Sequence, residues 1–137
     1  MLLAVDTGNT QTVIGLFEGA ELVTQWRIAT IAERTADEHA LLVGQLLGLE
    51  GFDVGDIVDG IVIASTVPAL TATLRAMAER WFDVPAVVLE PGVRSGVVIL
   101  ADNPKEVGAD RVANTAAAFD RFGGPCIVVD FGTSTNF

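Results

Sequence analysis

The sequence predicts an α/β fold in which a mixed β-sheet carries helices on both of its faces. Apolar and amphipathic segments follow one another in the order β-β-β-α-β-α-β-α. Short turns join the first three strands, which is typical of antiparallel pairing, whereas the later strands alternate with helices, which is typical of parallel pairing. The chain has 137 residues, half of them apolar, and this is enough for a domain with a hydrophobic core.

The three N-terminal strands are predicted from apolar runs at residues 2–5, 12–17 and 22–28. Val, Ile and Phe dominate the second run, as expected for a strand with a buried face. Residues 18–21 place a glycine between polar ends and predict a hairpin turn between the second and third strands.

From residue 35 onward, helices and strands are predicted to alternate. Thr35 or Asp37 would cap a first helix, and Pro68 would open a second helix that runs to Trp81. A third helix is expected at residues 106–122. The strands predicted in this part of the chain are residues 61–64, 86–89 and 126–129.

The charge balance and the cysteine content limit the classes of partner. With 18 acidic and 8 basic residues the net charge is −10, which repels nucleic acid and anionic membrane surfaces. No apolar run approaches the roughly 20 residues of a membrane-spanning helix. The single cysteine, Cys126, permits no internal disulfide, which agrees with a cytoplasmic location. Because it begins an apolar strand, it is expected to be a buried structural thiol.

Two apolar strands are followed by similar sequences, Asp6-Thr7-Gly8-Asn9-Thr10 and Asp130-Phe131-Gly132-Thr133-Ser134-Thr135. A glycine lets the backbone approach a ligand closely, and the N–H groups and hydroxyls around it can bind phosphate oxygens. The aspartate would repel phosphate, so we expect it to hold a cation that bridges to the phosphate. Two such loops facing each other would clamp a polyphosphate.

This pair of loops resembles the actin, Hsp70 and sugar-kinase superfamily, in which two similar halves close on ATP. The resemblance implies an RNase H-like mixed sheet that is one half of an actin-like ATPase duplication. Residues 1–122 would form the N-terminal RNase H-like domain, and residues 123–137 would begin a second, truncated domain.

A third motif, Asn103-Pro104-Lys105-Glu106-Val107-Gly108-Ala109-Asp110-Arg111, places an acid and a base at the start of a helix. Asp110 could accept a proton from a substrate hydroxyl, and Arg111 could hold an anionic group. The spacing alone favours a salt bridge or a helix-dipole interaction that serves only the fold.

Together these motifs resemble type III pantothenate kinase along the whole chain. Two further segments add to the resemblance, Ser65-Thr66-Val67-Pro68 and Glu90-Pro91-Gly92-Val93-Arg94-Ser95-Gly96. The family uses ATP to phosphorylate pantothenate to 4'-phosphopantothenate, the first step of coenzyme A biosynthesis. The resemblance implies pantothenate and ATP as ligands, Mg²⁺ and K⁺ or NH₄⁺ as cofactors, and a homodimer at full length.

The resemblance also implies roles for individual residues. Asp110 would be the proton acceptor, Asp6 would lie at Mg²⁺, and Asp130 would bind K⁺ or NH₄⁺. ATP would be bound by Asp6, Thr7, Gly8, Asn9, Thr10, Gln11, Thr12, Val13 and Thr133. Pantothenate would be bound by Gly108, Ala109, Asp110 and Arg111.

Some features depart from the family pattern. Many members have a tyrosine that touches the substrate where this chain has Ala101. The domain that supplies most of the adenine-side pocket would follow residue 137. An alternative is therefore a truncated, non-catalytic homologue that acts as a binding or regulatory accessory protein, and this chain alone is expected to be inactive.

Overall fold

A five-stranded mixed sheet forms the centre of the computed structural model, which describes residues 1–53, 57–90, 93–132 and 135–137. Its strands, in chain order, are β1 Leu2–Thr7, β2 Gln11–Glu18, β3 Glu21–Ala29, β4 Gly60–Ser65 and β5 Ala86–Val88. Their order across the sheet is β3-β2-β1-β4-β5. β1 and β2 pair antiparallel, as do β2 and β3, whereas β4 is parallel to both β1 and β5. This is the predicted RNase H-like mixed sheet.

The helices follow the predicted order, with bounds set by their capping residues. They are α1 Ala36–Leu49, α2 Pro68–Met77 and α3 Ala109–Phe122, and a π-helical turn, Ala78–Phe82, extends α2. Of the two predicted caps for α1, Thr35 is the one used: its side chain accepts from the Glu38 N–H, and the Glu38 carboxylate accepts from the Thr35 N–H. A separate 3₁₀ turn, Pro104–Glu106, precedes α3.

The two faces of the sheet are covered to different degrees. On one face, α1 and α2 pack against β1, β2 and β4 around buried apolar side chains, among them Leu3, Val5, Ile14, Leu16, Val43, Leu47, Ile61, Ile63, Leu74 and Met77. Each such side chain contributes about 1.5–3 kcal/mol on burial. On the opposite face lies α3, which contacts β4 but has no buried residue. Helices therefore lie on both faces, and the α3 face is left open enough to hold a site.

His39 lies inside the tightly packed face. Its polar neighbours in the sequence favour a solvent-facing or helix-capping side chain rather than a catalytic one, but the side chain is buried and the caps of α1 are Thr35 and Glu50. The residue is 2% exposed because it shares one helix face with Val43 and Leu47 at a spacing of four residues. Its Nε2 atom has no hydrogen-bond partner among the described residues. Burial lowers the pKa of His39 to about 4, and the positive charge of Arg34 adds to this effect.

The segment after α3 differs from its prediction. Residues 126–129 form no strand, and a separate two-stranded sheet begins only at β6 Asp130–Phe131, which pairs with β7 Thr135–Asn136. No strand of the main sheet pairs with this segment, so Ile127 is 85% exposed and Cys126 is exposed rather than buried. α3 does end at Phe122. The division into residues 1–122 and 123–137 stays a prediction.

Candidate functional site

The candidate site lies where the carboxyl ends of the parallel strands β1, β4 and β5 meet the start of α3. Ligands of open α/β sheets commonly bind at this edge. Thr66, just past the end of β4, holds two of these strand ends together: its N–H and its hydroxyl both donate to the carbonyl oxygen of Thr7, at 2.9 and 3.1 Å. These two hydrogen bonds fix the end of β1 relative to the end of β4.

The turn between β1 and β2 contains the first predicted phosphate loop. The Gly8 N–H donates to the carbonyl of Gln11 at 3.0 Å, which closes the turn. A Cβ atom on Gly8 would lie 3.3 Å from that same carbonyl oxygen, so a larger residue would open the turn. Glycine is needed here for close backbone approach rather than for an unusual φ angle.

A cavity of about 650 Å³ opens beside this turn, and we call it the acidic cavity. Its lining residues are Asp6, Gly8, Asn9, Thr10, Gln11, Val13, Arg27, Thr66, Asp110, Asp130, Phe131 and Gly132. Three predicted site carboxylates thus come together from the end of β1, the first turn of α3 and the start of β6. Asp6 is separated from the other two by more than a hundred residues of sequence, so only the fold brings the three to one place.

The carboxylates affect one another electrostatically. The pKa of Asp6 is raised, first by desolvation from the cavity walls and then by the negative charges of Asp110 and Asp130. Asp6 nevertheless remains exposed to the cavity. A cation placed beside Asp6 would stabilise the ionised carboxylate, which desolvation and the two neighbouring charges otherwise disfavour.

A second cavity of about 760 Å³ adjoins the acidic cavity, and we call it the adjoining cavity. Its polar and backbone lining includes Ser65, Thr66, Thr71, Glu90, Ser95, Lys105, Gly108 and Ala109. Thr66 lines both cavities, and Ala109 in one is followed directly by Asp110 in the other. A group bound in the adjoining cavity would therefore reach the acidic cavity past Thr66 and Asp110.

The start of α3 positions Asp110. Gly108 is the N-cap of this helix, and no side chain caps it. Backbone N–H groups in the first turn of a helix lack partners within the helix and carry a partial positive charge. A Cβ atom on Gly108 would collide with Oδ1 of Asp110. The absence of a side chain at residue 108 is what allows the carboxylate its present position.

Not every predicted site residue faces these cavities. The side chains of Thr7 and Thr12 are buried on the opposite face of the sheet, where the Thr12 hydroxyl lies 2.9 Å from that of Thr30. Neither Thr7 nor Thr12 is among the described lining residues of the two cavities. Arg111 lines a third cavity, of about 360 Å³, together with Cys126. Thr133 lies outside the described residues.

Sequence reasoning missed two lining residues of the acidic cavity, Thr66 and Arg27. Thr66 follows a strand end, but nothing in the segment 65–68 marks it as a ligand-binding position. Arg27 could have been found from strand register, because β2 places Val13 opposite both Asp6 and Arg27.

The carboxylates of the acidic cavity suit a metal ion that is also bound by a ligand. Within the described ranges, no group of three or more His, Cys, Asp or Glu side chains is arranged to hold a metal ion. Mg²⁺ at phosphate-binding sites uses one or two carboxylates together with phosphate oxygens and water. Asp6, with its raised pKa, fits that requirement.

In the described part of the chain, no helix is both long and apolar enough to cross a bilayer.

Comparison with known proteins gives the family directly. The sequence model that describes type III pantothenate kinase matches residues 2–137. The chain belongs to this family.

Individual relatives agree with this assignment. The chain is 56% identical over 141 residues to a type III pantothenate kinase of Streptomyces griseus, covering 100% of this chain and 53% of the relative. A type III pantothenate kinase of Acidothermus cellulolyticus is 58% identical over 138 residues, with the same coverage. The chain thus spans about half the length of these relatives. Among solved structures, a Bacteroides thetaiotaomicron protein with an actin-like ATPase fold gives a TM-score of 0.46 at 8% identity, covering 63% of this chain and 31% of that protein.

Proposed function

We propose that this chain forms half of an enzyme that transfers a phosphoryl group from ATP to pantothenate, giving 4'-phosphopantothenate for coenzyme A biosynthesis. The observation that carries the proposal is the convergence of Asp6, Asp110 and Asp130 on one cavity that adjoins a second. Phosphoryl transfer needs a cation-binding place for polyphosphate and a base near the acceptor hydroxyl. Family membership supplies the substrate class.

In this proposal the acidic cavity receives the phosphate chain and the adjoining cavity receives pantothenate. Asp110 accepts the proton of the primary hydroxyl while the hydroxyl oxygen attacks the terminal phosphorus of ATP and ADP leaves. The turn at Gly8 and the hydroxyl of Thr66 border the phosphate chain. Gly108 has no side chain and Ala109 has only a methyl group, so both allow close approach of pantothenate.

Two cations belong to the proposal. Asp6 would hold Mg²⁺ together with phosphate oxygens, and Asp130 would hold K⁺ or NH₄⁺. Their chemistry is to offset the negative charge of the carboxylates and of the triphosphate. Two predicted contacts are supported less directly: Thr133 lies outside the described residues, and the side chain of Arg111 would have to turn away from the cavity that it lines.

The wider setting is also proposed. A homodimer, a cytoplasmic location, and the absence of nucleic-acid and membrane partners follow from the family resemblance, the single cysteine and the net charge of −10. The same charge means that an anionic nucleotide depends on cations more than on a basic pocket.

The test uses a completed protein, defined as residues 1–137 joined to the remaining C-terminal part of the Streptomyces griseus relative. We expect pantothenate-dependent formation of ADP that requires Mg²⁺ and is activated by K⁺ or NH₄⁺. Asp110→Asn should lower the rate about 10²–10⁴-fold at unchanged thermal stability, the range typical of a lost general base.

The Streptomyces griseus relative itself serves as the positive control. A folded completed protein that forms no pantothenate-dependent ADP, under conditions in which that relative is active, would overturn the proposed function. Wild-type rates in Asp110→Asn would instead remove only the proposed role of Asp110.

A further inference from the structure

Arg27 lies in the same row of the sheet as Asp6. Asp6 pairs with Val13 across β1 and β2, and Val13 pairs with Arg27 across β2 and β3. Directly paired residues share one face of a sheet, so the side chains of Asp6 and Arg27 project to the same side. Two strand spacings separate their backbones by roughly 10 Å.

Alternation along β3 directs Arg27 away from the core. Its neighbours Trp26 and Ile28 pack against the core cluster on the helix-covered face. Arg27 therefore extends over the opposite face, where it is exposed and lines the acidic cavity. It is the only Lys or Arg among the described lining residues of that cavity.

The guanidinium of Arg27 is not used by the fold. In the described part of the chain, neither an ion pair nor a hydrogen bond involves its side chain, although three carboxylates line the same cavity. By contrast, the exposed Arg75 and Arg80 do form ion pairs, with Glu90 at 3.2 Å and Asp37 at 3.1 Å. A cation that faces three acids without pairing with them is available to a ligand.

A phosphate chain is the ligand chemistry that fits this arrangement. The planar guanidinium presents a fork of N–H donors that matches two phosphate oxygens, and such charge-assisted bonds are about twice as strong as neutral ones. The three carboxylates cannot bind phosphate without cations, so the guanidinium of Arg27 is the one positively charged side chain among the described lining residues that attracts phosphate directly.

We propose that Arg27 binds phosphate oxygens of the nucleotide from the β3 side of the acidic cavity, opposite the turn at Gly8. The inference rests on the proposed function, because it assigns the acidic cavity to a phosphate chain. It adds a direct side-chain contact, on a strand that no predicted site residue occupies. The contact sets the affinity for the phosphate chain, while Asp110 acts on the hydroxyl.

The probe is inorganic tripolyphosphate with Mg²⁺, titrated into the 137-residue chain by calorimetry. Arg27→Gln should weaken binding roughly tenfold to a hundredfold, the effect of one lost hydrogen bond between charged groups. Arg27→Lys keeps the charge but loses the fork, so its affinity should lie between the two. Arg121→Gln is the matched control: it removes the same charge at the far end of α3, over the ring of Phe122, and should leave binding unchanged.

Two further measurements distinguish a ligand contact of Arg27 from a structural role. The thermal unfolding midpoint of Arg27→Gln should equal that of wild type, and the salt dependence of its tripolyphosphate affinity should be shallower. Equal affinities of wild type and Arg27→Gln would overturn the inference and leave the proposed function standing. A wild-type chain that fails to bind tripolyphosphate would also overturn the inference, whereas the proposed function is tested separately by the activity of the completed protein. Arg27-dependent binding in a completed protein that does not phosphorylate pantothenate would overturn the proposed function alone.

Discussion

The carboxylate of Asp110 occupies the space that a side chain on Gly108 would need. A Cβ atom at residue 108 would collide with Oδ1 of Asp110, two residues along the first turn of α3. The φ angle of Gly108 is −61°, which any residue can adopt. The requirement for glycine is thus set by the position of one carboxylate and not by backbone conformation.

Gly108→Ala in the completed protein should therefore separate stability from activity. The carboxylate is the flexible end of its side chain and can rotate away, so we expect the free energy of unfolding to fall by less than about 1 kcal/mol. The pantothenate-dependent rate should fall about 10²-fold, since a displacement of about 1 Å at a reacting group can cost that much. Steady-state kinetics and thermal unfolding measure the two effects.

Gly48→Ala is the control for this substitution. A Cβ atom on Gly48 would have no neighbour within 4 Å, and the residue lies in the last turn of α1, remote from both cavities. It should keep the wild-type rate. An undiminished rate in Gly108→Ala would mean that the observed position of the Asp110 carboxylate is not the reactive one.

The strand order and the gathering of acids were predictable from the sequence because both depend on strong local patterns. Apolar runs with hairpin or helical connections define the order of β1 to β5, and Asp6, Asp110 and Asp130 each mark a strand end or a helix start. Residues 126–129 have the same apolar composition as a buried strand. Composition does not specify a pairing partner, and these residues have none among the strands of the five-stranded sheet.

Arg27 depends on a register that composition does not reveal. Between Leu16 and Phe17 the pairing of β2 with β3 shifts by one residue. If the register of the hairpin end continued unchanged, Val13 would face Trp26 and the side chains of β3 would exchange faces. This irregularity is what directs Arg27 into the acidic cavity and Trp26 into the core.

Asp6→Asn should stabilise the 137-residue chain at neutral pH in the absence of divalent cations. The pKa of Asp6 is raised, so its ionised form opposes folding, and the effect is present above both the folded and the unfolded pKa. The carboxylate is open to solvent, which limits the gain to roughly 1–3 °C in the unfolding midpoint. The gain should disappear as the pH falls and Asp6 becomes protonated in both states.

Asp120→Asn controls for the change in net charge, because Asp120 is an exposed residue near the end of α3. It should change the midpoint by less than Asp6→Asn does. A midpoint for Asp6→Asn that is no higher than that of Asp120→Asn would contradict the proposed crowding of negative charge at the acidic cavity.

His39 should make the chain sensitive to mild acid. Its folded pKa of about 4 lies below the ordinary value of 6.5, so between these values the unfolded chain takes up a proton that the folded chain does not. The free energy of unfolding should fall as the pH drops from about 6.5 toward about 4, by up to about 3 kcal/mol. His39→Leu removes the titrating group and keeps an apolar side chain on the buried face of α1. Its urea unfolding curves at pH 7 and pH 5 should differ less than those of wild type, and an equal difference would exclude His39 as the source.

Removing the segment after α3 should make the chain less prone to aggregate. Ile127 and Phe131 are 85% and 82% exposed, and β6 and β7 pair only with each other, so the segment offers apolar side chains and unpaired strand edges to other copies. A chain that ends at Gly123 keeps the five-stranded sheet and helices α1, α2 and α3. We expect lower light scattering at matched concentration and an unfolding midpoint within about 2 °C of the full chain, since few contacts are lost. Ile127→Ser in the 137-residue chain is the matched variant, and it should lower scattering in part because it removes one exposed apolar side chain. A clear fall in the midpoint of the shortened chain would instead show that the segment stabilises α3, and the predicted boundary between residues 122 and 123 would then be wrong.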